Sequence, residues 1–199
     1  MILSQSQVEN IARQYYPKIA TAITAAFADY MEVRAQRSAN GVVDFKPRTC
    51  ASLIHDFTKV RLKNEIGEDP EVLIGEFNGI FGMLIQGSVF IRFKKLNDDL
   101  STSNVQTGQT ENYNNQANFA GFGGEPTLLT AGYRPDKSWT SIQNIHLVCR
   151  SGDAIVWQKD LTSEVKQTSI FTMEEEDQTS KTGRVSVKKG IQKTGTDDN

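Results

Sequence analysis

The sequence is short of the residues on which most active sites depend. It has two histidines, His55 and His146, and two cysteines, Cys50 and Cys149, each pair far apart in the chain. No HExxH, CxxC or EF-hand spacing occurs, so no metal site and no cofactor are expected. His55 and Asp56 are adjacent in a helical stretch, where neighbouring side chains diverge, so they do not make an orienting pair. There is no nucleophile elbow, dinucleotide fingerprint or Walker loop, and Gly121, Gly123 and Gly124 lead into Glu125-Pro126 rather than Lys-Ser/Thr. Long apolar runs are missing as well: nothing approaches the roughly 18 residues that a bilayer span requires. The opening MILSQSQVEN lacks a basic region followed by an apolar one. A cytoplasmic protein with no membrane partner is the expectation, its two thiols reduced and buried.

Charge of one sign is also lacking, since the 199-residue chain has a formal net charge of −2. Residues 1–67 carry 9 Lys/Arg against 6 Asp/Glu, residues 68–161 carry 7 against 11, and residues 162–199 carry 6 against 7. Nothing global points to nucleic acid or a charged membrane.

The densest apolar stretch, Glu71 to Leu96, is what the chain does have. Asn78-Gly79 and Gln86-Gly87 cut it into three strand-length segments, and Asn-Gly supplies the positive φ of a type I′ hairpin, so a β-meander is predicted. Before it, apolar residues from Val8 to Met31 recur at three-four spacing and predict a helix over about Ser4–Ser38, capped by Ser4 or Ser6. Pro17 either kinks this helix or restarts it. Its stripe suits the core, or a seam with another copy of the chain. A second helix is predicted between Pro47 and Gly67, with Cys50, Leu53, Ile54, Phe57 and Val60 inward and Arg48, Lys59, Arg61 and Lys63 on the exposed sides.

Strand character returns at Thr127–Tyr133, Ile142–Arg150 and Ala154–Leu161, with Ser151-Gly152-Asp153 as a hairpin loop and Ile155 and Trp157 as the apolar face of the last strand. The predicted architecture is α+β: two N-terminal helical elements on a largely antiparallel sheet of about six strands. Residues 1–161 form one domain, with a helical part at 1–67 and a sheet part at 71–161. Residues 162–199 are too poor in apolar groups to offset their own ordering, so a disordered tail is expected.

Three groups of residues stand out as contact sites. The tail carries Ile170, Phe171 and Met173 followed by Glu174, Glu175 and Glu176, an apolar-acidic island suited to a groove with a basic rim. The polar loop 97–126, rich in Asn, Gln, Thr and Gly, is of a length that is either functional and partner-contacting or disordered. Arg92, Lys94 and Lys95 end the third strand and, with Arg61, could meet an anion or nucleic acid; charge at a strand end also guards an edge. Glu71, Glu76, Asp98 and Asp99 near Lys94 and Lys95 loosely match the two-carboxylate pattern of metal-dependent nucleases.

The segments RTCASLIHDF, FIRFKKLNDDL, NVQTGQTENYNNQ, LLTAGYRPD and IHLVCRSGDAIVW together resemble a group of poorly characterised bacterial proteins from toxin–antitoxin or phage-defence neighbourhoods, over residues 48–161. The resemblance implies a protein acting on another macromolecule. The expected function is therefore a non-catalytic interaction or regulatory protein, antitoxin-like or defence-associated, that binds a partner protein through the polar loop and tail. Nucleic-acid binding through the basic helix and strand-end cluster is one alternative, and a nuclease-like enzyme is another. Self-association through the N-terminal helix is a further possibility.

Overall fold

A computed structural model describes residues 1–39, 45–103, 107–117 and 123–165. The chain opens with α1 (Gln5–Ala12), whose N-cap is Ser4: its hydroxyl accepts from the Gln7 amide while the Gln7 side chain accepts from the Ser4 amide. This reciprocal capping box satisfies two donors that a helix start otherwise leaves bare. A 3₁₀ turn over Arg13–Tyr15 follows, and α2 (Tyr16–Ala39) begins with Pro17 in its first turn. Proline lacks the amide proton that the first turn does not use, so the chain restarts there rather than bending. Helix α3 (Pro47–Ile66) starts on Pro47 and stops at Gly67, whose φ of 67° and ψ of −153° lie in a positive-φ region that is open essentially to glycine alone.

Six strands then form one sheet in chain order: β1 (Val72–Phe77), β2 (Ile80–Ile85), β3 (Val89–Lys95), β4 (Thr127–Pro135), β5 (Ile142–Ser151) and β6 (Ala154–Asp160). Neighbours are antiparallel except β3 and β4, which run parallel from Val89–Thr127 to Lys95–Tyr133. The meander has its two tight turns where expected, with Asn78, Gly79, Gln86 and Gly87 all at positive φ. The segment between β3 and β4 is the crossover that a parallel pair needs. Its described residues include α4 (Gly108–Asn114), capped by Thr107.

The apolar stripe of α1 and α2 packs into the chain's own core. Tyr15, Ile19, Ile23, Ala26 and Tyr30 meet Cys50, Ile54, Leu62 and Ile66 of α3 over Val89, Ile91 and Phe93 of β3 and Leu129, Ala131 and Tyr133 of β4. Leu161 and Val165 join the same core just after β6. Both cysteines are buried and unpaired. The opposite face of the sheet is not simply polar: Tyr113 of α4 seals Leu84, Phe90 and Leu128 beneath it.

Two expected core positions lie elsewhere. Val60 is 57% exposed, because the buried stripe of α3 runs Cys50, Ile54, Thr58, Leu62, Ile66 and leaves Val60 on the far side. Ile155 is 40% exposed, because a bulge opposite Cys149 and Arg150 breaks the alternation that would have paired it with Trp157 on one face. Trp157 does pack inward, its indole N–H donating to the Leu3 carbonyl at 3.2 Å. No helix among the described residues is long and apolar enough to cross a membrane.

Candidate functional site

Helix α3 lies across the sheet where β2 and β3 separate. Their paired register ends at Gly82–Arg92, although β2 starts at Ile80 and β3 continues to Lys95. Arg48, Ser52, His55 and Lys59 recur along α3 at helical spacing, on the flank between its buried stripe and solvent. Two adjacent hollows result. The larger, of about 740 Å³, has walls from Arg48, Ser52 and His55 of α3, Phe93 and Lys95 of β3, Tyr133 of β4 and Trp139 beyond it. The smaller, of about 240 Å³, is walled by Lys59, Glu76, Phe81, Arg92 and the start of α4 at Thr107, Gln109 and Thr110. His55 and Lys94 line both.

Positive charge dominates these walls. Lys59 sits 3.5 Å from Glu76 and 3.9 Å from Asp56, with its ammonium 5.4 Å from the centre of the Phe81 ring. Arg92 is 3% exposed. Its guanidinium donates to Thr130 Oγ1 at 2.9 Å and Asn114 Oδ1 at 3.0 Å, and stacks 3.9 Å from the Tyr113 ring centre. These partners are neutral. Among the described residues no carboxylate lies within ion-pair reach of Arg92 or Lys94. Burial lowers the pKa of Lys94, and the charges of Arg92 and Lys59 lower it further. Burial also holds His55 below the ordinary imidazole value, with Lys94 and Lys59 adding to the effect and Asp56 opposing it. Arg92 is lowered by burial too, but a guanidinium stays protonated at any physiological pH.

The structure thus brings two of the four expected anion-contact residues to one hollow, puts a third on the adjoining one and separates the fourth. Arg92 and Lys94 border the small hollow; Lys95 borders the large one and donates to Asn97 Oδ1 at 2.9 Å. Arg61 is on another flank of α3, in an ion pair with Asp29 of α2 at 2.5 Å. His55, Arg48 and Lys59 escaped sequence reasoning as site residues, because four cations on a helix read as a solvated face. The usable signal was their helical spacing next to a basic strand end. The four carboxylates of the nuclease-like alternative stand apart: Glu71 accepts from Gln86, Glu76 meets Lys59, Asp98 lies 3.8 Å from Arg134, and Asp99 accepts from the Ser101 amide. Among the described residues no three His, Cys, Asp or Glu side chains gather as a metal site would need. Ile170, Phe171, Met173, Glu174, Glu175 and Glu176 lie outside the described residues, as do Phe119 and Phe122 of the polar loop.

The sheet offers a second feature at its edges, β1 and β6. β6 is blunted by its bulge, where Cys149 opposes Trp157, Arg150 opposes Ile155 and Val156 has no opposite number. β1 pairs with β2 in unbroken register from Val72–Ile85 to Phe77–Ile80, and no described strand pairs with its outer side. Leu73 on it is 61% exposed, and a side chain at Gly75 would meet open space. Glu68, Asp69 and Glu71 lead into it, and Asp69 accepts a hydrogen bond from the Tyr15 hydroxyl at 3.0 Å. Comparisons of the chain with protein-family models, curated proteins and solved structures return no match.

Proposed function

We propose that this chain is a non-catalytic interaction or regulatory protein that binds a partner protein by accepting one of its strands along β1. The observation that carries this reading is the unguarded edge. An outer strand presents backbone amides and carbonyls whose best match is another extended backbone, and natural edges are usually protected by lysine, proline or a bulge. Among the described residues β6 has such protection and β1 has none, its single charge Glu76 being met by Lys59. The matching occupant is an extended, partly apolar segment that covers Leu73 and carries Lys or Arg at its flank, complementary to Glu68, Asp69 and Glu71. An antitoxin-like role is one form of this reading, with the tail as an additional contact.

A nucleic-acid surface is less well supported. Tracking a nucleic-acid backbone needs free cations in an exposed row, whereas Arg61 is already paired with Asp29 and Lys95 borders a different hollow from Arg92. The test compares two edges. The tagged full chain is used to retain proteins from its source cells, with Leu73→Lys on β1 and Val156→Lys on β6 as parallel baits. The expected result is a species retained by the wild type and by V156K but lost with L73K. Equal retention by all three, or by none, overturns the reading. Self-association of the pure chain that L73K abolishes would assign the edge to a second copy instead.

A further inference from the structure

We propose that the two hollows beneath α3 form a binding site for a phosphorylated small molecule, the phosphoryl group lying in the smaller hollow against Arg92 and Lys94 and the organic remainder in the larger. Glu76 of β1 lines the smaller hollow but Leu73 and the outer side of the strand do not, so the inference does not depend on strand addition there. Its basis is an imbalance of charge inside a shaped cavity. The walls hold Arg48, Lys59, Arg92, Lys94 and Lys95 against Asp56 and Glu76, and both carboxylates are already within reach of Lys59. Among the described residues the remaining cations have no counter-charge there.

Arg92 is the most telling of them. A charge taken from water is costly unless paired, and the usual arrangement for a buried guanidinium is a facing carboxylate. Here neutral groups hold it instead: Thr130 and Asn114 accept its hydrogen bonds and Tyr113 stacks on its plane. They fix the direction of the fork while leaving its charge uncompensated. Those two bonds use Nε and Nη2, so an oxyanion is met from the Nη1 end of a guanidinium held rigidly beside a second cation, at little further loss of freedom. Lys94 supplies the second cation, and His55 lines both spaces beside it. A volume of about 240 Å³ holds a phosphoryl group with water around it. The adjoining 740 Å³ lies within the range of ordinary ligand cavities, and Phe93, Tyr133 and Trp139 give it aromatic walls for a flat ring.

The probes are inorganic phosphate and adenosine monophosphate, titrated into the full chain and followed by calorimetry and by the NMR signal of His55. Adenosine monophosphate should bind, and inorganic phosphate should bind at least about tenfold more weakly because it leaves the larger space empty. Lys94→Gln should weaken the nucleotide by about tenfold or more, while Lys137→Gln, on the exposed turn after β4, should leave it unchanged. Bound anion should also raise the titration midpoint of His55 in the wild type, a readout that stands even if K94Q fails to fold. The proposal is overturned if neither probe binds at about 10 mM, if a folded K94Q binds as the wild type does, or if His55 does not respond. It is overturned too if a phosphoserine peptide binds and the nucleotide does not. L73K should retain nucleotide binding, so failure of this site and failure of the β1 reading are told apart.

Discussion

At the scale of single residues, the outer face of β3 departs furthest from what alternation implies. Val89, Ile91 and Phe93 alternating with Phe90, Arg92 and Lys94 reads as one apolar face and one that turns polar. In the structure α4 lays Tyr113 over the second face, so Phe90 and Arg92 are buried with the first set. Sequence alone gave no sign of this, because the covering residue sits in a polar segment whose composition argues for exposure. His55 is a second such residue, legible as a helix position but not as a member of a cationic wall. Its lowered pKa makes a pH prediction. Burial, Lys94 and Lys59 hold the folded imidazole below its unfolded value of about 6.5, with Asp56 only partly opposing them. As pH falls through that value, the unfolded chain takes up a proton that the folded chain refuses, so stability declines until the folded pKa is passed. His146, lowered by its own burial with Arg134 adding and Asp160 opposing, acts in the same direction. Above the carboxylate range, between about pH 7 and 5.5, His55→Gln should therefore flatten the dependence of the urea midpoint on pH. A slope equal to that of the wild type would refute this account of His55.

At the scale of elements, boundaries were legible wherever a residue has one conformational use. Ser4, Pro47, Gly67 and Asn78-Gly79 each stand where their backbone chemistry puts them. Faces were less legible. Thr58 is buried in the middle of α3 because its hydroxyl donates to the Ile54 carbonyl at 2.7 Å, which lets a polar residue occupy the core stripe and leaves Val60 outside it. The packing of α2 on α3 is clamped by Asp29 and Arg61, bonded at 2.5 and 2.7 Å. The Arg61 hydrogen bond is the largest cause of the lowered Asp29 pKa. Because the arginine side chain is 43% exposed, solvent screens the pair and its coupling should be small, about 0.5–1 kcal/mol. A double-mutant cycle of Asp29→Asn and Arg61→Gln should return that coupling at neutral pH. The sign follows from the depressed carboxylate: the coupling is present above the unfolded value of about 3.9 and is lost as pH falls through the folded one. Coupling that persists unchanged at pH 2 would refute the assignment.

At the scale of the whole molecule, the helices-on-sheet arrangement could be read from the order of patterns, but the parallel pair at its centre could not. Alternation within β3 and β4 is the same whichever way a neighbour runs. The available signal was the length of the segment between them, which suits a crossover better than a hairpin. That crossover sets the stability gradient of the molecule. β3 and β4 are central, buried from Val89 to Phe93 and from Thr127 to Tyr133, and covered by helices on one side and α4 on the other. β1 is held by one neighbour, and no described strand meets its outer side. Native-state hydrogen exchange should therefore find the slowest amides in β3 and β4, opening only with global unfolding, and amides on the outer side of β1 exchanging through local opening several orders of magnitude faster. The measurement also bears on what the edge is for. Protection of β1 equal to that of β3 in the isolated chain would mean that the edge is already covered by another copy of the protein, and a strand-accepting role toward a different partner would fall with it.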